Sequence, residues 1–158
     1  MIAALVVLSD RISKSLVAQR ITLHDNIEIV PGWFRLTHVQ NQGAAFGLFS
    51  ESPSEWKAAM LILFSIAALA VVSALLWKNG NALNSTAIAL SLVFGGALGN
   101  LWDRVASGRV IDFLDFNIGP HHWPAFNLAD SAIVIGAAML LTEIFLAPQG
   151  EKETAVSS

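Results

Sequence analysis

Cysteine is absent from the 158 residues, which excludes a disulfide framework, thiolate metal ligands and a cysteine nucleophile. Charge is scarce. Only 13% of the residues are Asp, Glu, Lys or Arg, against about 25% in an ordinary soluble domain. The net charge of −3 comes with no basic stripe able to neutralise phosphates, so nothing marks a nucleic-acid partner. No serine sits in a G-x-S-x-G and no H-E-x-x-H is present for zinc, which removes two common hydrolase signatures. Repeats and low-complexity tracts are missing as well. What fills the chain is apolar side chains, 54% of it, and the length allows one compact membrane bundle.

The clearest span covers residues 58–77, which carry no charge and are bracketed by Lys57 and Lys78. Twenty helical residues reach roughly 30 Å, the hydrocarbon thickness. Trp56 and Trp77 stand at its ends, where amphipathic rings prefer the interface. Residues 82–102 form a second uncharged run after the short turn Asn79-Gly80-Asn81. Residues 131–147 form a third, interrupted by Glu143, whose expected role is to snorkel or pair. Pro148 stops it, and residues 148–158 read as a polar, disordered tail. Residues 1 to about 20 read as a first membrane helix whose earlier part is short or missing. Asp10 and Lys14 lie four apart there, on one face, and could pair.

Between the first two spans, residues 26–37 hold two short alternating runs around Pro31-Gly32, predicting a small sheet or cradle at the membrane surface. The small, flexible stretch Asn41-Gln42-Gly43-Ala44-Ala45-Phe46-Gly47 follows. A connection this long is usually functional or disordered, and its apolar content argues against disorder.

Carboxylates are expensive near a bilayer, so those present usually face a protein cavity. Asp112 and Asp130 sit at the two ends of one loop joining two apolar stretches, where the chain could bring them face to face. Each has a plainer reading. Asn127 and Asp130 have the spacing of a helix cap, with Asp in place of Glu in a capping box, and taken alone capping is the better explanation. Asp112 interrupts an apolar run without a cationic neighbour, but Asp115 does so three residues later, and local physics does not choose between them. Gly95 and Gly99 make a G-x-x-x-G that lets a helix approach. Asn100, Asp103 and Arg104 then share one face at the span's end, which is either helix-end packing or a surface that orients something. Adjacent His121 and His122 cannot easily share a metal, and these two with His24 and His38 are expected at the surface or at interfaces.

Four motifs taken together are specific. Asn41-Gln42-Gly43-Ala44-Ala45-Phe46-Gly47, Gly95-Gly96-Ala97-Leu98-Gly99-Asn100-Leu101-Trp102-Asp103-Arg104, Val110-Ile111-Asp112-Phe113 and Phe126-Asn127-Leu128-Ala129-Asp130 resemble, in order and spacing, the bacterial lipoprotein signal peptidase (signal peptidase II) family. The resemblance covers nearly the whole chain apart from the tail. It implies an all-α membrane protein, a four-transmembrane-helix bundle with a small extracytoplasmic β-cradle between helices 1 and 2. Residues 1–147 would form one peptidase domain. It implies an aspartic dyad of Asp112 and Asp130, choosing Asp112 over Asp115, with supporting roles for Asp10, Asn41, Gly43, Asn100, Asp103, Arg104 and Asn127. No metal or other cofactor is implied. The implied partners are lipid-modified prolipoproteins, cut just before the diacylglyceryl-cysteine, and membrane lipids, met by a monomer in the bacterial inner membrane. The Lys and Arg bias of the connections, read alone, would put the dyad in the cytoplasm, whereas the resemblance puts it on the extracytoplasmic face. The alternatives are a non-enzymatic transporter or channel subunit with acids along a polar path, and a membrane hydrolase acting on a lipid head group. Clustering of the acids at one end of the spans favours a surface-facing site.

Overall fold

The structure, a computed structural model, describes residues 1–43, 55–80, 83–119 and 121–146. The tail 148–158 and residues 44–47 of the flexible stretch lie outside the described residues. In chain order the elements are α1 (Ile2–Arg20), β1 (Asn26–Val30), β2 (Phe34–Asn41), α2 (Glu55–Asn79), α3 (Ser85–Ser107), β3 (Val110–Ile118), β4 (His121–Phe126) and α4 (Leu128–Leu146). Three helices, α2 from residue 58 on, α3 and α4, are long and apolar enough to cross a membrane. Helix α1 falls outside that group because it carries Asp10, Arg11 and Lys14 within five residues.

Local chemistry sets the helix ends. The Asn84 side chain accepts from the Ala87 amide at 2.8 Å to start α3, and Gly108, at φ +70°, ends it while donating its N–H to the Arg104 carbonyl. Only a residue without a Cβ adopts that left-handed geometry at no cost. Helix α3 is the centre of the bundle, with α1, α2 and α4 packed against it.

The α3–α4 contact depends on Gly96. A Cβ there would lie 2.3 Å from the Ala129 carbonyl oxygen and 2.8 Å from Ile133 Cγ1. The expected G-x-x-x-G faces α1 instead: a Cβ on Gly95 would meet the Ala3 backbone, and one on Gly99 would lie 2.9 Å from Asp10 Oδ2. Because the obstacle at Gly96 is backbone, Gly96→Ala must push α4 away. We expect it to cost about 1–3 kcal/mol, read as a lower melting temperature in detergent. An unchanged melt would mean that the helices have slack at this crossing.

The sheet is antiparallel in the order β1-β2-β3-β4. The β1–β2 hairpin turns at Gly32, φ +72°, as the Pro-Gly signal predicted. The other two strands correct the expectation. Residues 104–123 read as a connecting loop, and β structure was expected only between the first two spans, whereas β3 and β4 complete one sheet across both connections. The period of two in β4 is broken by an extra residue between Trp123 and Phe126, opposite Phe116 and Leu114, and β3 is buried or half-buried at nearly every position, so neither shows a clean alternation. Phe34, Phe116 and Phe126 stack across β2, β3 and β4, with centroids 4.6 and 5.8 Å apart.

The distribution of side chains is inverted relative to a soluble protein. Phe64 and Ile144 are 74% and 69% exposed, whereas Asp10 and Asn127 are wholly buried. Outward apolar surface suits a hydrocarbon solvent, and buried polar groups must then satisfy one another. A small apolar core of Val17, Ile21 and Phe113 joins the end of α1 to the sheet. His38, expected at the surface or at an interface, is buried within the chain, and its Nδ1 bonds the Ile21 carbonyl at 2.9 Å. That bond ties β2 to the turn following α1. Glu143 pairs as expected, accepting from Thr86 Oγ1 at 2.7 Å.

Candidate active site

The start of α4 is a reciprocal cap. The Asp130 amide donates to Asn127 Oδ1 at 2.9 Å, and the Asn127 amide donates to Asp130 Oδ2 at 3.3 Å. The capping explanation of Asp130 is therefore correct, but it uses only one carboxylate oxygen. The other, Oδ1, accepts from Asn100 Nδ2 at 2.8 Å. A cap that also holds an amide on a neighbouring helix is a fixed carboxylate rather than a simple helix end.

Asn127 carries the connection onward. Its Nδ2 donates to Asp112 Oδ1 at 2.7 Å and to Asn100 Oδ1 at 3.3 Å. Asp112 and Asp130 thus share one amide residue as partner, with Asp112 delivered by β3 and Asp130 by α4. The second Asp112 oxygen accepts from Asn41 Nδ2 at 3.0 Å. Asn41 is oriented in turn by the Gly43 amide, which donates to Asn41 Oδ1 at 2.7 Å, so its NH2 group is left to face Asp112. The Gly43 carbonyl lies 3.5 Å from Arg104 Nη2. Every residue in this circuit is an amide, a carboxylate or a backbone group, and Arg104 stands at its edge.

Burial dominates the chemistry of Asp112. It is 3% exposed and forms no ion pair among the described residues. Burial pushes its pKa up to about 6; the Asn41 donor opposes that rise, the Asp130 charge adds to it, and the Asn127 donor opposes it. Asp115, equally buried, is a different kind of group. Its Oδ2 pairs with Arg35 Nε and its Oδ1 with His122 Nε2 at 2.7 Å. One aspartate is held by neutral amides beside a second carboxylate; the other has its charge offset by a guanidinium. The first is placed to exchange a proton near neutral pH.

A second polar circuit lies behind Asn100. Lys14 Nζ contacts Asp10 Oδ2 at 2.7 Å, Asp103 Oδ2 at 2.7 Å and Asn100 Oδ1 at 3.0 Å, and Arg11 pairs with Asp103. Asp10 Oδ1 accepts from the Ala129 amide at 3.1 Å, so a carboxylate on α1 caps the start of α4. The bare Cα of Gly99 leaves room for that carboxylate. The expected support residues therefore divide. Asn41, Asn100 and Asn127 touch the two carboxylates directly. Asp10 and Asp103 act one step away through Lys14, and Gly43 and Arg104 act through Asn41 and the edge of the site. Lys14 and Arg11 were not among the expected site residues. The i, i+4 spacing with Asp10 signalled the first, but nothing local linked it to Asn100.

Two openings flank the pair. A cleft of about 650 Å³ over the sheet is lined by Asp112, Asp115, Arg35 and Thr37 among others. A groove of about 290 Å³ between α2, α3 and α4 is lined by Leu61, Phe64, Val93 and Ile133, and Asn100, Arg104 and Asp130 open into it. One opening is rich in hydrogen-bonding groups and the other is mostly apolar, with the two carboxylates at their junction.

A sequence profile of the family described as Signal peptidase (SPase) II matches residues 2–146. The chain belongs to the signal peptidase II family. Relatives named lipoprotein signal peptidase include that of Solibacter usitatus (strain Ellin6076), 40% identical over 143 residues, which are 90% of this chain and 87% of that protein. That of Sulfurihydrogenibium sp. (strain YO3AOP1) is 43% identical over 141 residues, 89% and 86% of the two chains. A solved bacterial membrane enzyme superposes with a TM-score of 0.84 at 33% identity, over 98% of this chain and 92% of its own. Membership of a peptidase family favours the peptidase expectation over the transporter or channel subunit.

Proposed function

We propose that this signal peptidase II family member is an aspartic endopeptidase that removes the signal peptide of diacylglyceryl-modified prolipoproteins just before the modified cysteine. The observation that carries the proposal is the shared partner: Asn127 donates to Asp112 and is reciprocally capped with Asp130. Two carboxylates this closely linked cannot both ionise freely, so they share a proton. Asp130 serves as the charged member. It takes a proton from a water whose oxygen attacks the scissile carbonyl carbon. Protonated Asp112 donates to the carbonyl oxygen, and on collapse of the tetrahedral intermediate the amine leaves with a proton from the dyad. The apolar groove between α2, α3 and α4 suits the hydrophobic signal segment and lipid chains, and the cleft over the sheet suits the polar chain beyond the cysteine.

In this reading all four helices span the bacterial inner membrane, with the site on the extracytoplasmic side and the protein acting as a monomer. Helix α1 is suited to this despite its charges. Leu5, Leu8, Ile12 and Leu16 face outward, about half exposed, while Asp10 and Lys14 are buried against each other. Residues 1–147 form the single peptidase domain.

The direct test is incubation of the purified protein with a lipid-modified prolipoprotein. A size shift with a new N-terminus at the modified cysteine is expected, and an intact precursor would overturn the proposal. The pH profile tests the division of labour. If Asp112 must be protonated, kcat/KM falls as pH rises through about 6. Asn41→Ala removes a donor that favours the ionised form, so the midpoint should move upward. An unmoved or lowered midpoint would reject Asp112 as the acid.

A further inference from the structure

Asp115 was left over by the dyad, yet it organises a second cluster on the same cleft wall. Arg35 on β2, Asp115 on β3 and His122 on β4 form one hydrogen-bonded row across three strands, with Arg35 directly opposite Asp115 in register. Asp115 is buried and both its oxygens are engaged. Its partners are not: the Arg35 and His122 side chains are 34% and 52% exposed. Arg35 uses only Nε, so both its Nη atoms lack a partner among the described residues, as does His122 Nδ1. A buried anion that fixes a half-exposed guanidinium is a preorganised donor site, because the fork is held before any ligand arrives. The unspent capacity of the cleft at this point is therefore mainly hydrogen-bond donors, and the complementary ligand carries acceptors.

We propose that the Arg35–Asp115–His122 row is a specificity subsite for the mature side of the substrate, taking an acceptor-bearing side chain, Asp, Glu or Asn, at the second or third residue of the released chain, the modified cysteine being the first. Distance sets the position. Asp115 lies three residues along β3 from Asp112, about 10 Å at strand rise, and an extended substrate advances at the same rise per residue. Three residues would normally place two side chains on opposite faces of a strand. Here both register breaks fall within Asp112–Phe116, where bulges in the neighbouring strands increase the local twist, and both aspartates line the one cleft. Chemistry sets the side. The residues before the scissile bond belong to an apolar segment, which the polar row would not serve.

This inference rests on the proposed peptidase function, and the experiment separates the two. Lipid-modified peptides that differ only at the second and third residues of the mature chain, carrying Asp, Asn, Leu or Lys, are cleaved by the full-length protein. The wild type should prefer Asp and Asn over Lys by about tenfold in kcat/KM, chiefly through KM, the size of one charge-assisted hydrogen bond. Arg35→Gln should reduce that preference to less than about twofold while cleavage of the Leu peptide changes little. Because the preference is a ratio within one preparation, partial unfolding cancels. If Arg35→Gln does not fold, Arg35→Lys keeps the ion pair but loses the fork, and should lose most of the preference. Equal cleavage of all four peptides by the wild type would overturn the subsite and leave the peptidase standing, as would a preference that survives in both Arg35 variants. Cleavage of none would overturn both.

Discussion

Asp112→Asn and Asp130→Asn should each lower prolipoprotein cleavage by at least about a thousandfold, the scale of losing general acid–base catalysis. Both variants should stay folded. Asn can still fill the Asp130 position of the cap, and at position 112 it replaces a buried carboxyl that is costly when ionised. Linkage gives a check on that point. The folded pKa of Asp112, about 6, lies above its ordinary value of 3.8. Its contribution therefore favours the fold fully below about pH 4 and is lost as pH rises through about 6. Wild-type melting temperature in detergent should fall across that window, and Asp112→Asn should flatten the fall. Asp115→Asn should behave differently: it weakens a hydrogen-bonded row and so costs stability, with a far smaller loss of activity. Full activity in either dyad variant, or an equal loss in Asp115→Asn, would mean that the wrong carboxylates have been assigned.

That contrast also marks where the sequence stops being informative. Asp112 and Asp115 are locally alike, the first between Ile111 and Phe113 and the second between Leu114 and Phe116. What separates them is Arg35, some eighty residues earlier, which arrives only when β2 pairs with β3. Features written in short spacings were readable: the uncharged runs of α2, α3 and α4, the Asn127–Asp130 cap, the Asp10–Lys14 pair and the turn at Pro31-Gly32. Features that need two distant segments were not. Gly96 looked like part of a generic small-residue face until Ala129 was placed against it. Strand β4 was hidden because an extra residue breaks its alternation, and β3 because apolar residues stand on both of its faces. His38 gave no sign of burial, since its partner is the carbonyl of Ile21 across a turn. The proposed dyad came from motif order, and the link between Asp112 and Asp130 through Asn127 came only with the fold.

The largest effect on stability should come from Lys14, which lies in neither carboxylate's immediate shell. It is 2% exposed and contacts Asp10, Asp103 and Asn100. The network holds two carboxylates and two cations, Lys14 and Arg11, so it is neutral as built. Lys14→Met keeps most of the stem and removes the charge, leaving Asp10 buried with no cation beside it among the described residues. Breaking a buried pair in this way costs about 3–5 kcal/mol, or roughly 10 °C in melting temperature for a chain of this size. Function should suffer beyond the loss of folded protein. Lys14 is the nearer of two donors to Asn100 Oδ1, at 3.0 Å against 3.3 Å for Asn127 Nδ2, and together they direct Asn100 Nδ2 at Asp130; without the lysine only the longer bond orients the amide. Cleavage per folded molecule should then fall about tenfold, because the donor to Asp130 is held less firmly. The double variant Asp10→Asn with Lys14→Met separates charge from packing. Neutralising both partners removes the stranded charge, and an amide oxygen can still accept from Ala129, so the double variant should be more stable than Lys14→Met alone. Its activity should remain low, since Asn100 still lacks its Lys14 donor. If the double variant is no more stable than the single, the lysine acts by filling space rather than by balancing Asp10.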